Sequence, residues 1–165
     1  MATGNVRIIN EAGTQGSSWV FRTQASATQI QPGEPVTVSG NYVIPCATTY
    51  PRLADTYLTG MVGIAATQSP TAAAAVDGTV EVNLCLPGIV YACKTKLATT
   101  INTDAKLLTF LNMNVEFDLT STVYTIDTAN AGTGAGGAGG LRIVGGDITN
   151  GIIFFIVHSV NTYFA

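Results

Sequence analysis

The chain has 165 residues, 47% of them apolar and only 10% charged, with a net charge of −3. Soluble domains carry about 25% charged residues, so this exterior is polar but nearly neutral, the kind of surface that other protein often covers. The seven basic residues are scattered, with Lys94 and Lys96 alone close together, which argues against a nucleic-acid face. The longest apolar run, GIIFFIV, is too short to span a bilayer as a helix.

Residues 1–35 are rich in Thr, Gln, Ser and Gly and close on QPGEP. A short apolar piece, NVRIIN, sits near the start, with Val6 and Ile8 on one face of an extended chain and Arg7 and Ile9 on the other. The stretch MATGNVRIINEAG lacks the basic start and apolar run of a secretory signal, so synthesis in the cytoplasm is expected. Residues 1–35 read either as an arm with a Pro-containing connection or as an ordinary edge strand. The arm is the working expectation, and residues 36–165 are then a single β domain.

Period-two alternation dominates from there on. SSWVFRT and PVTVSGNYVI read as strands, and Trp19 shares a face with Phe21. That aromatic pair suits packing in a core or interface better than stacking on a sugar or base. SPTAAAAVDG is ambiguous between a short helix and a loop bracketed by Pro70 and Asp77-Gly78. In GTVEVNLCL, Val80, Val82, Leu84 and Leu86 take one face and Thr79, Glu81, Asn83 and Cys85 the other. GIVYACK follows Pro87-Gly88, and a tight hairpin would set Leu84 opposite Tyr91 and Val82 opposite Cys93. Cys85 and Cys93 then fall on opposite faces, which disfavours a disulfide between them. With Cys46 they make an odd number of cysteines without metal-ligand spacing, and three free thiols are expected.

NTDAKLLTFLN predicts one or two helical turns, capped by Asn102 or Thr103, with Asp104 in the first turn and Leu107, Leu108 and Leu111 buried. NVEFDL and TVYTID predict two strands around Thr120-Ser121. Glu116 and Asp118 share a strand face there, an arrangement able to bind a cation or serve as acid and base, although a solvated face is the commoner origin. AGTGAGGAGGL matches the dinucleotide pattern G-x-G-x-x-G twice. A strand, LRIVGGD, follows instead of a helix, and no acidic residue lies about twenty positions on. A slack glycine connection between antiparallel strands is therefore expected, and no nucleotide. His158, the sole histidine, ends the strand GIIFFIV and has no nucleophile elbow to serve. No catalytic residue, cofactor or metal site is expected, and hence no enzyme.

One longer pattern runs through the chain. An apolar strand reading G-x-x-G-I-A (60–65) leads into a Thr/Ala-rich link (67–76) and then Asp77-Gly78. An alternating strand (79–84) and a turn into an apolar strand (87–91) follow. This series resembles the central segment of capsid decoration (cement) proteins of tailed bacteriophages. The stretch from VEFDLTSTVYTIDT through the glycine run to GIIFFIV is similar to the C-terminal half of such proteins in marine phages, and the resemblance covers about two thirds of the chain. It implies an all-β fold, mainly an antiparallel β-barrel or β-tulip with at most one or two short helices and an N-terminal arm. It also implies a virion protein on the outer capsid surface, often a homotrimer, with the major capsid protein as partner and no nucleic acid or membrane. In that setting Val6, Arg7, Ile8 and Ile9 are the expected capsid-binding arm, adding a strand to a capsid-protein sheet. A tail or head-fibre protein that recognises host glycans is the alternative. It requires convergent aromatics and carboxylates, which are scattered along the sequence.

Overall fold

The computed structural model describes residues 6–10, 18–46, 60–70, 75–86, 88–96, 100–120, 123–132 and 139–158. Eleven strands and one helix follow in chain order: β1 Arg7–Asn10, β2 Ser18–Thr23, β3 Pro35–Ser39, β4 Tyr42–Pro45, β5 Met61–Ala65, β6 Gly78–Leu84, β7 Val90–Lys94, α1 Asp104–Phe110, β8 Asn114–Thr120, β9 Val123–Gly132, β10 Leu141–Asp147 and β11 Ile152–Val157. The fold is all-β and antiparallel, as the alternation implied. It is not a closed barrel. The strands form a six-stranded sheet, order β1-β7-β11-β10-β8-β9, and a five-stranded sheet, order β2-β6-β5-β3-β4. A lone parallel bridge between Thr95 and Ile126 brings the end of β7 against β9 and curls the larger sheet without closing it by a ladder.

Two cores result. The larger lies on the inner face of the six-stranded sheet and contains Tyr91, Phe117, Tyr124, Phe155, Ile143 and Leu141. The smaller lies on one face of the five-stranded sheet around Val36, Val43, Val62, Val80, Val82 and Leu84, with Ile30 folded over it. Strand β5 serves both cores and is buried along its whole length. Met61 and Ile64 enter the larger core, while Val62 and Ala65 enter the smaller. This spacing of three instead of two comes from an irregularity in the ladder: Val36 pairs with Gly63 but Thr37 with Met61.

The expected hairpin across Pro87-Gly88 does not form. β6 lies between β2 and β5, and β7 lies between β1 and β11, so the chain changes sheets between them. Leu84 therefore faces the smaller core while Cys85, on the opposite face, enters the larger one. Alternation assigns faces, but a strand with an apolar residue on each face can belong to either layer. The segment PVTVSGNYVI is likewise two strands. Ser39 pairs with Tyr42 across a two-residue turn, and the positive φ falls on Gly40, as a type II′ hairpin requires.

Helix α1 is capped as expected, the Thr103 hydroxyl accepting from the Lys106 N–H at 3.2 Å. Leu107 and Leu111 pack on the larger core, but Leu108 points to solvent at 66% exposure. The strands on either side of Thr120-Ser121 pair as a hairpin, β8 with β9. β9 and β10 are not antiparallel neighbours. Both pair antiparallel with β8 and so run parallel to each other. Residues 133–138 of the glycine run lie outside the described residues. Gly139 passes so close to β8 that a Cβ there would fall 1.7 Å from the Val115 carbonyl oxygen. At least one glycine of the run is thus demanded by contact, not by slackness.

Candidate functional site

The residues expected to form a free arm are built into the fold. β1 pairs antiparallel with β7, Arg7 opposite Ala92 and Ile8 opposite Tyr91. Val6 is buried in the larger core and Ile8 is packed against it, whereas Arg7 is exposed. The Ile9 side chain lies outside what the structure describes. The Val6 N–H donates to the Gly33 carbonyl at 3.1 Å, and the Gly33 N–H to the Ala65 carbonyl at 2.8 Å. Nor does residue 35 divide the chain: β2 pairs with β6 along six residues, and Ile30 and Glu34 are buried. The edge-strand alternative is the arrangement found, because Val6 and Ile8 gain more from burial in an existing core than a polar segment could provide alone.

This placement creates a surface. β1 is an edge of its sheet, and no described strand pairs with its outer side. Beside it runs an open groove of about 340 Å³, lined by Val6, Arg7 and Ile8, by Pro32 and Gly33, and by the end of β5. Outward backbone groups on such an edge are a template for another strand. The groove walls mix apolar side chains with polar groups, Asn83 among them, and Arg7 brings the one charged side chain.

Glu116 and Asp118 each stand opposite a polar residue of β9. Glu116 is buried opposite Asp127, and Asp118 lies opposite Thr125. Lys96 reaches over from beyond β7 to Asp127 at 2.9 Å and Asp118 at 3.3 Å. Burial works to raise the Asp127 carboxyl, but the Ala129 N–H and Lys96 outweigh it and hold it below the usual range. The cluster fastens the curled sheet beside the Thr95–Ile126 bridge. Among the described residues, no group of three or more His, Cys, Asp or Glu could hold a metal ion, and no helix is long and apolar enough to cross a membrane. The His158 N–H donates to the Gly140 carbonyl at 2.8 Å, so this residue closes the end of β11.

Cys46, Cys85 and Cys93 are free and buried. Burial pushes the thiols of Cys85 and Cys93 up to about 12, so neither is a nucleophile near neutral pH.

Trp19 and Phe21 do share a face. On β2 they stand opposite Val82 and Val80, with rings stacked at 6.5 Å between centroids. Phe21 packs on the smaller core, while Trp19 is 57% exposed and its neighbour Val20 69%. Three residues that sequence reasoning did not connect gather nearby. The Arg22 Nη2 lies 2.7 Å from Asp77 Oδ2, the Tyr42 hydroxyl donates to the same oxygen at 3.0 Å, and the Arg22 guanidinium stands 5.6 Å above the Tyr42 ring. The two-residue turn at Gly40-Asn41 was the available signal, because it folds β4 back and brings Tyr42 toward β2.

No protein-family model matches the chain, and no curated protein is significantly similar to it.

Proposed function

We propose that the protein is a capsid decoration protein, a virion component that binds the outer surface of an assembled phage head. The observation that carries this reading is the outer edge of β1, which no other described strand covers, flanked by a groove of mixed apolar and polar lining on a protein with few charges. An edge of this kind accepts a strand from a neighbour through backbone hydrogen bonds in register. The partner in this reading is the major capsid protein. The patterned resemblance over about two thirds of the chain and the all-β fold support it. Arg7 and Ile8 supply the contact from a preordered strand, so less ordering entropy opposes binding than for a loose arm. Protein bound only to the expanded shell stabilises that shell by mass action, without chemistry. Assembly as a homotrimer would multiply a modest contact by effective concentration.

Purified protein mixed with expanded empty heads and viewed by negative-stain microscopy tests this. Regular surface protrusions are expected. Arg7→Glu, which alters an exposed side chain beside the groove, should weaken decoration about tenfold while leaving the fold intact. Bare heads at saturating protein, or equal decoration by the variant, would overturn the assignment of this surface.

A further inference from the structure

We infer that the open rim of the five-stranded sheet, between β2 and the β3–β4 hairpin, is a binding site for a neutral saccharide. The site lies on the other sheet from β1 and stands apart from head binding.

A groove of about 240 Å³ opens there, lined by Phe21, Val38, Gly40, Asn41, Tyr42 and Val43. Pockets that enclose a drug-sized ligand run to about 300–1,000 Å³, so this one suits a single sugar ring held at a rim. Phe21 provides an aromatic wall, and the exposed Trp19 ring stacked on it extends that wall outward. The CH-bearing face of a pyranose is apolar, and a partly exposed Trp offers it a large rigid surface.

Tyr42, which lines the groove with Phe21, is held by a polar cluster at the Thr23 end of β2. Asp77 accepts from Arg22, from the Tyr42 hydroxyl and from the Ala25 N–H, each at about 3 Å or less. These bonds fix Arg22 and Tyr42 in place before a ligand arrives, which lowers the ordering cost of binding. Arg22 stands outside the groove, its guanidinium 5.6 Å above the Tyr42 ring, and so steadies that ring from behind. Asn41 adds an exposed amide at the groove itself.

Charge decides the class of sugar. Arg22 and Asp77 are paired one to one and Glu81 lies opposite Val20, so β2 offers no surplus of positive charge to attract a carboxylate, sulfate or phosphate. Neutral hydroxyl-rich rings match both the aromatic wall and this balanced pair.

Trp19 is the only tryptophan in the chain, so its emission reports directly on the rim. Full-length protein titrated with maltose, cellobiose, lactose, mannobiose and chitobiose should show a saturable emission change with at least one. A dissociation constant of about 0.1–10 mM is expected for one exposed subsite. Saturation-transfer NMR, which needs no tryptophan, should show affinity lowered about tenfold in Trp19→Ala and in Tyr42→Phe, both with wild-type circular dichroism. Absence of a saturable change with every one of these sugars would overturn the proposal. So would affinity unchanged in both variants, or a response confined to an anionic sugar such as sialyllactose. Because the assay uses the protein without heads, its outcome does not depend on capsid binding.

Discussion

The Tyr124 hydroxyl on β9 donates to the Cys46 carbonyl, just past β4, across 2.6 Å of buried space. It ties one sheet to the other through a single oxygen. Tyr124→Phe leaves that carbonyl without this donor in a site closed to water. A loss of about 0.5–1.5 kcal/mol is expected, the net worth of one intramolecular hydrogen bond. Urea denaturation of both proteins checks it through a lower midpoint at unchanged slope.

Gly139 and Gly40 separate two reasons for glycine. A Cβ at position 139 would meet the Val115 backbone, whereas one at position 40 meets nothing within 4 Å but inherits a φ of +60°. Gly139→Ala should cost about 3 kcal/mol or more, because backbone must move. Gly40→Ala should cost about 1–2 kcal/mol, the left-handed strain alone. Thermal melts of the two variants should fall in that order, and equal losses would show that β8 yields easily.

Glu34 gives the fold a pH dependence of known sign. Burial raises its carboxyl above the ordinary 4.5, outweighing the opposing hydrogen bond from the Gln31 N–H. The folded state therefore holds this proton more tightly than the unfolded chain does. The stabilising contribution is complete below 4.5 and is lost as pH rises through the folded value. Glu34→Gln keeps an acceptor for Gln31 and removes the ionisation. The variant should melt higher than the wild type at neutral pH, with the gap narrowing toward acid.

The three thiols should be silent in the native protein. Alkylation at mildly alkaline pH should leave Cys46, Cys85 and Cys93 unlabelled, since all are buried and burial pushes Cys85 and Cys93 up to about 12. Denaturation without reductant should label all three. Loss of label at a pair would reveal a disulfide.

Removal of residues 2–12 should destabilise the whole protein. It strips Val6 from the larger core and bares the edge of β7. Burial of one valine alone is worth about 1.5–3 kcal/mol. A truncated chain that melts at the wild-type temperature would return β1 to the role of a detachable arm.

Strand positions were legible because alternation writes itself into each segment, as in Val80, Val82 and Leu84. Strand partners were not. The pairing of Leu84 with Tyr91 followed from closeness in sequence, yet Cys85 already belongs to the other core. The irregular ladder beside Gly63 breaks the period inside β5, and nothing local announces it. The cluster around Tyr42 was invisible for a related reason. Arg22, Tyr42 and Asp77 are far apart in the chain, and only the curl of the five-stranded sheet brings them together. Residues 1–35 read equally well as an arm or an edge strand because their polar surroundings describe their neighbours in sequence, not the core that receives Val6.

β5 has no solvent side: its five residues form the partition between two apolar compartments. Neither compartment can open without tearing the wall of the other, so the two sheets should melt in a single calorimetric transition. The same partition carries load. A pull entering through β1 on one sheet passes through Gly33 and Ala65 to β5, and is then spread over the ladders to β3 and β6. For a molecule fixed by one face to a shell under pressure, the innermost strand would act as the tie-beam.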